Sequence, residues 1–330
     1  MIISRTPYRI SLVGGGTDLR SFYSKEPGMV LSTTIDKYLY VVVKRQLGIV
    51  EFKYRINWSR VEFRNSIEEI EHPIVREALK YFDIDFPIEI STFADIPANT
   101  GLGSSSAFAV GLVHALRALK GQTSTKYSLA SDAAMIEVDI LGRTMGKQDH
   151  FASAYGNFNV FTFNTNETVT VDPVFYRTES WEQLQKNLML FYTGLKRDAS
   201  EVLTSQNEAT PGKYDVLAKM KGLVEPLREV LSKGDDLRQV GEILHEGWMM
   251  KKSLTQEIST NTIDNNYLVA RNAGAIGGKI LGAGGGGFLL FYVEEDKQEA
   301  VAKALPKLSH IKMGFDTSGS RITYYDQTVL

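Results

Sequence analysis

The chain has 330 residues, of which 43% are hydrophobic and 23% charged, and a formal net charge of −2, which is typical of a globular enzyme of about two domains. It lacks the basic excess that nucleic-acid binding exploits, and the absence of cysteine excludes disulfides, thiolate metal sites and cysteine nucleophiles. No apolar run approaches the ~20 residues that span a bilayer and no secretory signal opens the sequence, so we expect no nucleic-acid partner, no membrane contact and a cytoplasmic location.

Strand-like and helix-like patterns alternate along the first half of the chain. Runs of apolar and β-branched residues predict strands over residues 29–35, 38–47 and 86–93. Apolar residues at three- and four-residue spacing predict helices over residues 104–119 and 126–141. These elements are expected to form the first of two domains.

Longer helices dominate the second half. A buried strand is predicted over residues 188–194, and two long helices over residues 213–232 and 235–254. The remaining predicted elements are a helix over 261–272, a glycine-rich hairpin, a helix over 297–305 and a strand over 322–325. The stretch 172–187 reads as a loop and is the expected boundary, which predicts domains over residues 1–180 and 181–330.

A glycine–serine turn precedes the predicted helix that begins at Ser104. The start of a helix leaves four backbone N–H groups unpaired and carries about half a positive charge, so an anion binds there readily. Gly101 and Gly103 let the backbone approach a phosphate, while Ser104, Ser105 and Ser106 offer hydroxyls to phosphate oxygens or to a metal. The alternative is an ordinary helix capped by serine. The candidate cofactor-binding residues are Pro97, Asn99, Gly101, Leu102, Gly103, Ser104, Ser105 and Ser106.

Two other nucleotide-binding motifs are excluded on the same residues. Residues 282–287 match the dinucleotide pattern G-x-G-x-x-G, but that pattern must open a helix, and here it precedes a buried strand over 288–293. The nearest approach to a Walker loop, Gly278-Lys279-Ile280, lacks the hydroxyl that would hold magnesium. Neither a Rossmann domain nor a P-loop NTPase is therefore expected.

Two further glycine-rich segments accompany the serine turn. Residues 5–19 run from a strand into three glycines and Asp18, and residues 279–293 place a five-glycine turn between two apolar strands. In this order, the three segments resemble the signature of the GHMP kinases, the family of galactokinase, homoserine kinase, mevalonate kinase and phosphomevalonate kinase. The resemblance implies an α+β GHMP kinase fold, with a ribosomal protein S5 domain 2-like N-terminal domain, a ferredoxin-like C-terminal domain and ATP in the cleft between them.

The resemblance also implies the residues of an ATP-dependent phosphotransferase that acts on an alcohol group. Asp149 matches the catalytic aspartate, and Arg9 matches the arginine that lies against that carboxylate and would favour its ionised form. Ser105 and Glu137 match the ligands of Mg²⁺, with Asp139 as the alternative acid. The residues alone also allow Asp149 to be a helix cap and Glu137 to be a solvated charge.

The first glycine segment bears on the substrate. Galactokinase-like chains carry a Glu-His pair where this chain has Gly15 and Gly16, and the segment instead resembles the D-glycero-D-manno-heptose 7-phosphate kinases. That resemblance implies phosphorylation of the anomeric hydroxyl to the 1,7-bisphosphate in nucleotide-heptose biosynthesis, with Asp18 binding sugar hydroxyls. Lys196 and Arg197 are candidates for binding the substrate phosphate, or are two solvated loop charges. The expected substrate-binding residues are Gly15, Gly16, Thr17, Asp18, Gly284, Gly285, Lys196 and Arg197.

Other functions remain open from the sequence. One is a different sugar-1-kinase, L-fucokinase-like or galactokinase-like, and another is a GHMP-fold binding protein that has lost catalysis. Because Ser105, Glu137 and Asp149 are all present, the sequence favours an active enzyme. The expected partner is a small-molecule sugar phosphate, and the sequence is compatible with a homodimer.

Overall fold

The computed structural model describes residues 1–196 and 199–326, and its strands form two sheets. The strands are β1 (Ile2–Val13), β2 (Gly28–Arg45), β3 (Tyr54–Asn57), β4 (Val61–Arg64), β5 (Ile88–Ala94), β6 (Asn159–Phe163), β7 (Val169–Pro173), β8 (Leu188–Tyr192), β9 (Gly277–Ile280), β10 (Phe288–Tyr292), β11 (Ser309–Ile311), β12 (Phe315–Asp316) and β13 (Arg321–Tyr325). The α-helices are α1 (Arg20–Tyr23), α2 (Pro73–Tyr81), α3 (Ser104–Leu119), α4 (Lys126–Ala134), α5 (Gln148–Tyr155), α6 (Thr178–Asn187), α7 (Ala199–Ala209), α8 (Tyr214–Gly222), α9 (Val224–Lys233), α10 (Arg238–Lys252), α11 (Asn261–Asn272) and α12 (Gln298–Ala304). The predicted α+β class is confirmed.

The larger sheet is built around β1 and the 18-residue strand β2. Its nine described strands follow the order β13-β1-β2-β5-β3-β4, with β6 and β12 also paired to β2 and β7 paired to β6. β1 runs antiparallel along both halves of β2, with Ile2 opposite Val43 and Val13 opposite Leu31. Because one partner bridges both halves, the two strands predicted there form a single strand.

The smaller sheet has four described strands in the order β11-β8-β10-β9, all antiparallel. Every residue of β9 and β10 is buried, and α10 packs against β9. The aromatic side chains of Phe288, Phe291 and Tyr292 therefore belong to the hydrophobic core, as the continuous apolar run of this strand predicts.

Two predicted helices are confirmed and two are divided. The helices predicted over 104–119 and 261–272 have those bounds in α3 and α11. The helix predicted over 126–141 consists of α4 followed by a π-helix over Met135–Ile140, and the helix predicted over 213–232 is divided into α8 and α9. Among the described residues, no helix has both the length and the apolar character needed to cross a bilayer.

The loop predicted over residues 172–187 is wrong, because most of this stretch is helix α6. Its buried side chains are Ser180, Leu184 and Asn187, of which only Leu184 is aliphatic. Trp181 and Leu184 are its only large apolar residues and the other eight are polar or charged, so the sequence reads as a polar loop.

The end of the described chain returns to the larger sheet. β12 pairs with β2, and β13 pairs with β1 on the opposite side from β2. These strands complete the N-terminal sheet although they lie in the second predicted domain. The division into residues 1–180 and 181–330 stays a prediction.

Candidate active site

The serine turn lies at the N-terminus of α3 and faces a cleft. Gly103, with a φ of +75°, is the residue before the helix, and no side chain in the described part of the protein caps the free N–H groups. The serine-capped helix considered from the sequence is therefore not what forms. The hydroxyl of Ser106 is buried without a hydrogen-bond partner among the described residues. The turn thus presents unpaired N–H groups and a hydroxyl that suit an anion.

The serine turn packs directly against the glycine-rich turn between β9 and β10. A Cβ at Gly101, whose φ is +82°, would lie 2.5 Å from the carbonyl oxygen of Leu281. A Cβ at Gly287, whose φ is +92°, would overlap the carbonyl of Thr100. Only glycine fits this contact of backbone on backbone, which joins the start of α3 to the smaller sheet.

Arg9 and Asp149 form a two-pronged ion pair beside the serine turn. The Arg9 Nε donates to Asp149 Oδ1 at 2.6 Å and Nη2 donates to Oδ2 at 2.7 Å, while Nη1 donates to the carbonyl of Gly101 at 2.7 Å. The side chains are only 5% and 14% exposed, so this charge-assisted pair is strong and rigid. Asp149 lies in the first turn of α5, and the residue before that helix is Lys147, so Asp149 is not a helix cap.

Asp18 is a buried acid that also lines the cleft. Its Oδ1 accepts a hydrogen bond from the N–H of Gly16 at 2.9 Å, and Oδ2 lies so close to Gly146 that a side chain there would overlap it. Burial, together with the negative charge of Asp149, raises the pKa of Asp18 to about 6. The cleft therefore holds two acids of different character, one fixed by Arg9 and one whose pKa is raised to about 6.

Behind Ser105 lies a buried carboxylate. The Ser105 hydroxyl donates to Glu137 Oε1, the Arg143 Nη1 donates to the same oxygen, and His150 Nε2 lies 2.9 Å from Oε2. Burial opposes ionisation of Glu137, but the bonds from His150, Ser105 and Arg143 outweigh it and hold the pKa of this carboxyl below its ordinary value. Glu137 is fully buried, so it is not the solvated charge considered from the sequence.

The donor set around Ser105 fits Mg²⁺. A serine hydroxyl and a carboxylate oxygen in contact are hard ligands, and magnesium takes one or two protein oxygens and keeps several waters. The described residues contain no cluster of three or more metal-ligating acids and histidines, as a fuller protein cage would need. Asp139, the alternative acid, pairs with Arg20 at 2.8 Å on the surface, with no contact to Ser105.

Two lysines in the cleft are not predicted from the sequence. Lys251, on α10, donates from Nζ to the carbonyl of Gly282, and burial together with the nearby Arg9 lowers its pKa to about 8. Lys279, on β9, donates from Nζ to the carbonyls of Ser11 and Leu12 at 2.9 and 2.8 Å. Burial lowers the pKa of Lys279 well below its ordinary value. A lysine inside an apolar strand is a signal that was available for Lys279; no comparable pattern marks Lys251.

Most predicted site residues line this one cleft. They are Arg9, Gly15, Gly16, Asp18, Asn99, Gly101, Gly103, Ser104, Ser105, Ser106 and Asp149. Pro97, Leu102, Thr17, Glu137, Gly284, Gly285 and Lys196 lie outside its lining. Arg197 lies outside the described residues.

Of the predicted residues outside the lining, some hold the turns that form the cleft and others lie away from the cleft. The Thr17 hydroxyl donates to the carbonyl of Gly14 at 2.8 Å and so holds the first glycine turn, while Leu102 is fully buried. Gly285 donates its N–H to the carbonyl of Ile258 at 2.9 Å. Lys196 is exposed in the loop after β8, so it does not join the residues of the cleft.

Comparison with known proteins identifies the family of the chain. The model of the GHMP kinases N terminal domain matches residues 72–157, and that of the GHMP kinases C terminal domain matches residues 223–310, which together exceed half of the chain. A D-glycero-alpha-D-manno-heptose 7-phosphate kinase from Campylobacter jejuni is 29% identical over 323 residues, 93% of each chain. A mevalonate kinase from Pyrococcus horikoshii is 26% identical over 91% of this chain and 82% of its own.

A solved structure agrees in fold. The crystal structure of a D-glycero-D-manno-heptose 1-phosphate kinase from Bacteroides thetaiotaomicron is 25% identical and has a TM-score of 0.81, covering 99% of this chain and 100% of its own. The two family matches, these relatives and the geometry of the cleft agree. The chain belongs to the GHMP kinases and is an ATP-dependent kinase that acts on an alcohol acceptor.

Proposed function

We propose that the chain transfers the γ-phosphoryl group of ATP to the anomeric hydroxyl of D-glycero-D-manno-heptose 7-phosphate, giving the 1,7-bisphosphate used in nucleotide-heptose biosynthesis. The observation that carries the proposal is the Arg9–Asp149 pair, which shares one cleft with the serine turn, Gly15 and Gly16. The relatives from C. jejuni and B. thetaiotaomicron are kinases of a heptose 7-phosphate and a heptose 1-phosphate respectively, which supports a heptose phosphate as the substrate class.

Phosphoryl transfer depends on positioning and on neutralising charge more than on covalent help from the protein. The N–H groups at the start of α3 and the unpartnered hydroxyl of Ser106 would bind phosphate oxygens of ATP. Asp149 would accept a hydrogen bond from the anomeric hydroxyl through the lone pairs that Arg9 leaves free, and would take its proton as the new P–O bond forms. Because Arg9 fixes both carboxylate oxygens, Asp149 is oriented before the substrate arrives.

The part of the cleft around Gly15 suits the hydroxyls of a sugar. The Ser11 hydroxyl and the Gln148 Oε1 are buried without partners among the described residues. A Cβ at Gly15 would lie 3.3 Å from Ser11 Oγ and 3.7 Å from Gln148 Nε2, so the glycine leaves both polar groups open to a ligand. Buried polar groups are almost always hydrogen-bonded, and a polyol could supply the missing partners beside Asp18.

Ser105 and Glu137 would hold Mg²⁺ together with the phosphates of ATP and water. When bound there, the metal would neutralise charge on the transferred phosphoryl group. His150 would fix the second oxygen of Glu137 and so orient this carboxylate.

Lys196 and Arg197 remain our candidates for the 7-phosphate of the sugar. Lys196 follows Leu195, whose carbonyl accepts the N–H of Gly287 in the glycine-rich turn at 2.9 Å, so its backbone is anchored near the cleft. Its exposed side chain could then reach an anion at the cleft entrance. A homodimer and a cytoplasmic location stay predictions.

An ADP-release assay across heptose 7-phosphate, heptose, fucose, galactose and mannose tests the proposal. Heptose 7-phosphate should give the highest kcat/KM. Faster turnover of fucose or galactose would replace the proposal by an L-fucokinase-like or galactokinase-like activity, and no turnover of any sugar would remove the sugar-kinase proposal.

A further inference from the structure

Arg143 lies where the proposed metal would have to lie. It belongs to the loop between the π-helix and α5, and its backbone N–H donates to the carbonyl of Glu137 at 3.1 Å. One nitrogen of its guanidinium, Nη1, donates to Ser105 Oγ at 2.8 Å and also to Glu137 Oε1. These are the two oxygen atoms that would bind Mg²⁺. A metal bound to both atoms would compete with the guanidinium for their lone pairs and would place a second cation beside it, so the two are expected to exclude each other.

The buried carboxylate explains why a cation lies there without a metal. Glu137 is 0% exposed, and an ionised carboxylate in that position is costly unless a positive group pairs with it. Arg143 supplies that charge from one side, while His150 contacts the other oxygen. Arginine is the cation that never loses its proton in a protein, so this compensation does not depend on pH.

The side chain of Arg143 is partly exposed, so it can move, and it has donors for a new partner. Its side chain is 35% exposed, although the carboxylate that it contacts is fully buried. In the described part of the chain, no hydrogen bond or ion pair is made by its Nε or Nη2. These unused donors lie next to Ser105 in the serine turn, where phosphate oxygens are expected, and a planar guanidinium suits phosphate geometry.

We propose that Arg143 takes the place of the metal between Ser105 and Glu137 in the nucleotide-free protein, and moves onto a phosphate oxygen when the metal–nucleotide complex binds. The inference rests on the proposed function for the metal site. It makes Arg143 a positioning residue that offsets the charge of Glu137 when no metal is bound, and it means that magnesium must displace this cation in order to bind both oxygens.

Calorimetric titration of ADP tests the displacement of Arg143 by the metal without any turnover. The titration is repeated at a series of free Mg²⁺ concentrations, from excess EDTA up to about 10 mM Mg²⁺. Removing the competing cation should help the metal, so Arg143→Gln should lower the Mg²⁺ concentration for half-maximal ADP affinity by about tenfold, the weight of one charge-assisted hydrogen bond. In EDTA, the same variant should bind ADP more weakly than the wild type, because neither cation then offsets Glu137. Arg143→Lys should stay near the wild type in both measurements.

Arg228→Gln is the matched control, because Arg228 is an arginine paired with Glu225 on α9, away from the cleft. A midpoint for Mg²⁺ that is unchanged or raised in Arg143→Gln would overturn the inference, as would equal weakening of ADP binding with and without metal. If Arg143→Gln does not fold, the double variant Glu137→Gln with Arg143→Gln removes the unpaired buried charge, and its Mg²⁺ midpoint is compared with that of Glu137→Gln alone. The two midpoints should agree, because without the charge of Glu137 the arginine is no longer held at the metal position, and a lower midpoint in the double variant would overturn the inference. A wild-type protein that binds no ADP under any condition would instead overturn the proposed function.

Discussion

Both carboxylate oxygens of Asp149 are held by one side chain, that of Arg9, at 2.6 and 2.7 Å. The third arm of the same guanidinium binds the carbonyl of Gly101 in the serine turn. Arg9 therefore couples the proposed base to the proposed phosphate site, and a change at either end should be felt at the other.

Asp149→Asn tests the role of the base. We expect kcat to fall by about 10²-fold or more, the usual scale for a positioned general base, while ADP still binds. Steady-state kinetics and ADP titration measure the two effects, and Asp139→Asn is the control, because Asp139 pairs with Arg20 on the surface. Turnover of Asp149→Asn near that of the wild type would remove Asp149 from the mechanism.

Glu137→Gln and Ser105→Ala test the metal ligands. Each variant removes or weakens an oxygen ligand, so each should raise the Mg²⁺ concentration needed for half-maximal rate. This direction is opposite to that expected for Arg143→Gln, which leaves both ligands in place. If Asp139→Asn shifts the magnesium dependence and Glu137→Gln does not, the ligand assignment is wrong.

The raised pKa of Asp18 predicts how sugar binding depends on pH. Burial and the charge of Asp149 raise this pKa to about 6, so the ionised form that accepts sugar hydroxyls is lost as pH falls through that value. KM for the sugar should therefore rise below about pH 6 in the wild type. Asp18→Asn should have a high KM that no longer changes over this range, and an unchanged wild-type KM at pH 5 would contradict the prediction.

The raised pKa of Asp18 also affects stability, in the opposite direction to its effect on sugar binding. Ionised Asp18 is expected to favour sugar binding but to destabilise the folded protein. Because the folded-state pKa lies above the ordinary value of 3.8, the folded protein holds the proton more tightly than the unfolded chain, and ionisation between the two values costs stability. Asp18→Asn should raise the free energy of unfolding at pH 7, by up to about 3 kcal/mol, and much less at pH 4. Urea unfolding at both pH values measures this, and a variant less stable than the wild type at pH 7 would show that Asp18 is not buried at a cost.

Lys196→Ala tests whether the loop after β8 binds the phosphate of the substrate. It should lower kcat/KM for heptose 7-phosphate by about tenfold, since a charge-assisted contact is lost, and leave bare heptose unaffected. Lys233→Ala, at an exposed lysine on α9, is the control. Equal losses on both sugars would show that Lys196 does not bind the phosphate.

The parts of the site that depend on local sequence could be predicted. The start of α3 at Ser104 follows from its glycines, serines and apolar spacing, and the strand that ends in Tyr292 follows from a continuous apolar run. The pairing of Arg9 with Asp149 joins residues 140 positions apart, so it came from the resemblance to the GHMP kinases and not from any local pattern.

The site residues and the helix that were not predicted from the sequence depend on contacts between distant parts of the chain or lack an apolar pattern. Lys251 lies on a helix whose pattern is that of any amphipathic helix, and its contact with the carbonyl of Gly282 in the cleft is visible only in the fold. Arg143 reads as an ordinary loop charge, because nothing local shows that Glu137 lies buried beneath it. Helix α6 has only two large apolar residues, Trp181 and Leu184, so its polar sequence resembles a loop.

The proposed function requires that phosphate is transferred to the anomeric oxygen of a heptose 7-phosphate. Proton-coupled phosphorus NMR of the product formed from ATP and heptose 7-phosphate tests it most directly. Transfer to the anomeric oxygen predicts a second sugar-phosphate signal, coupled to H1 of the sugar. A new phosphate coupled to any other proton, or no new phosphate while ADP is released with another sugar, would contradict it.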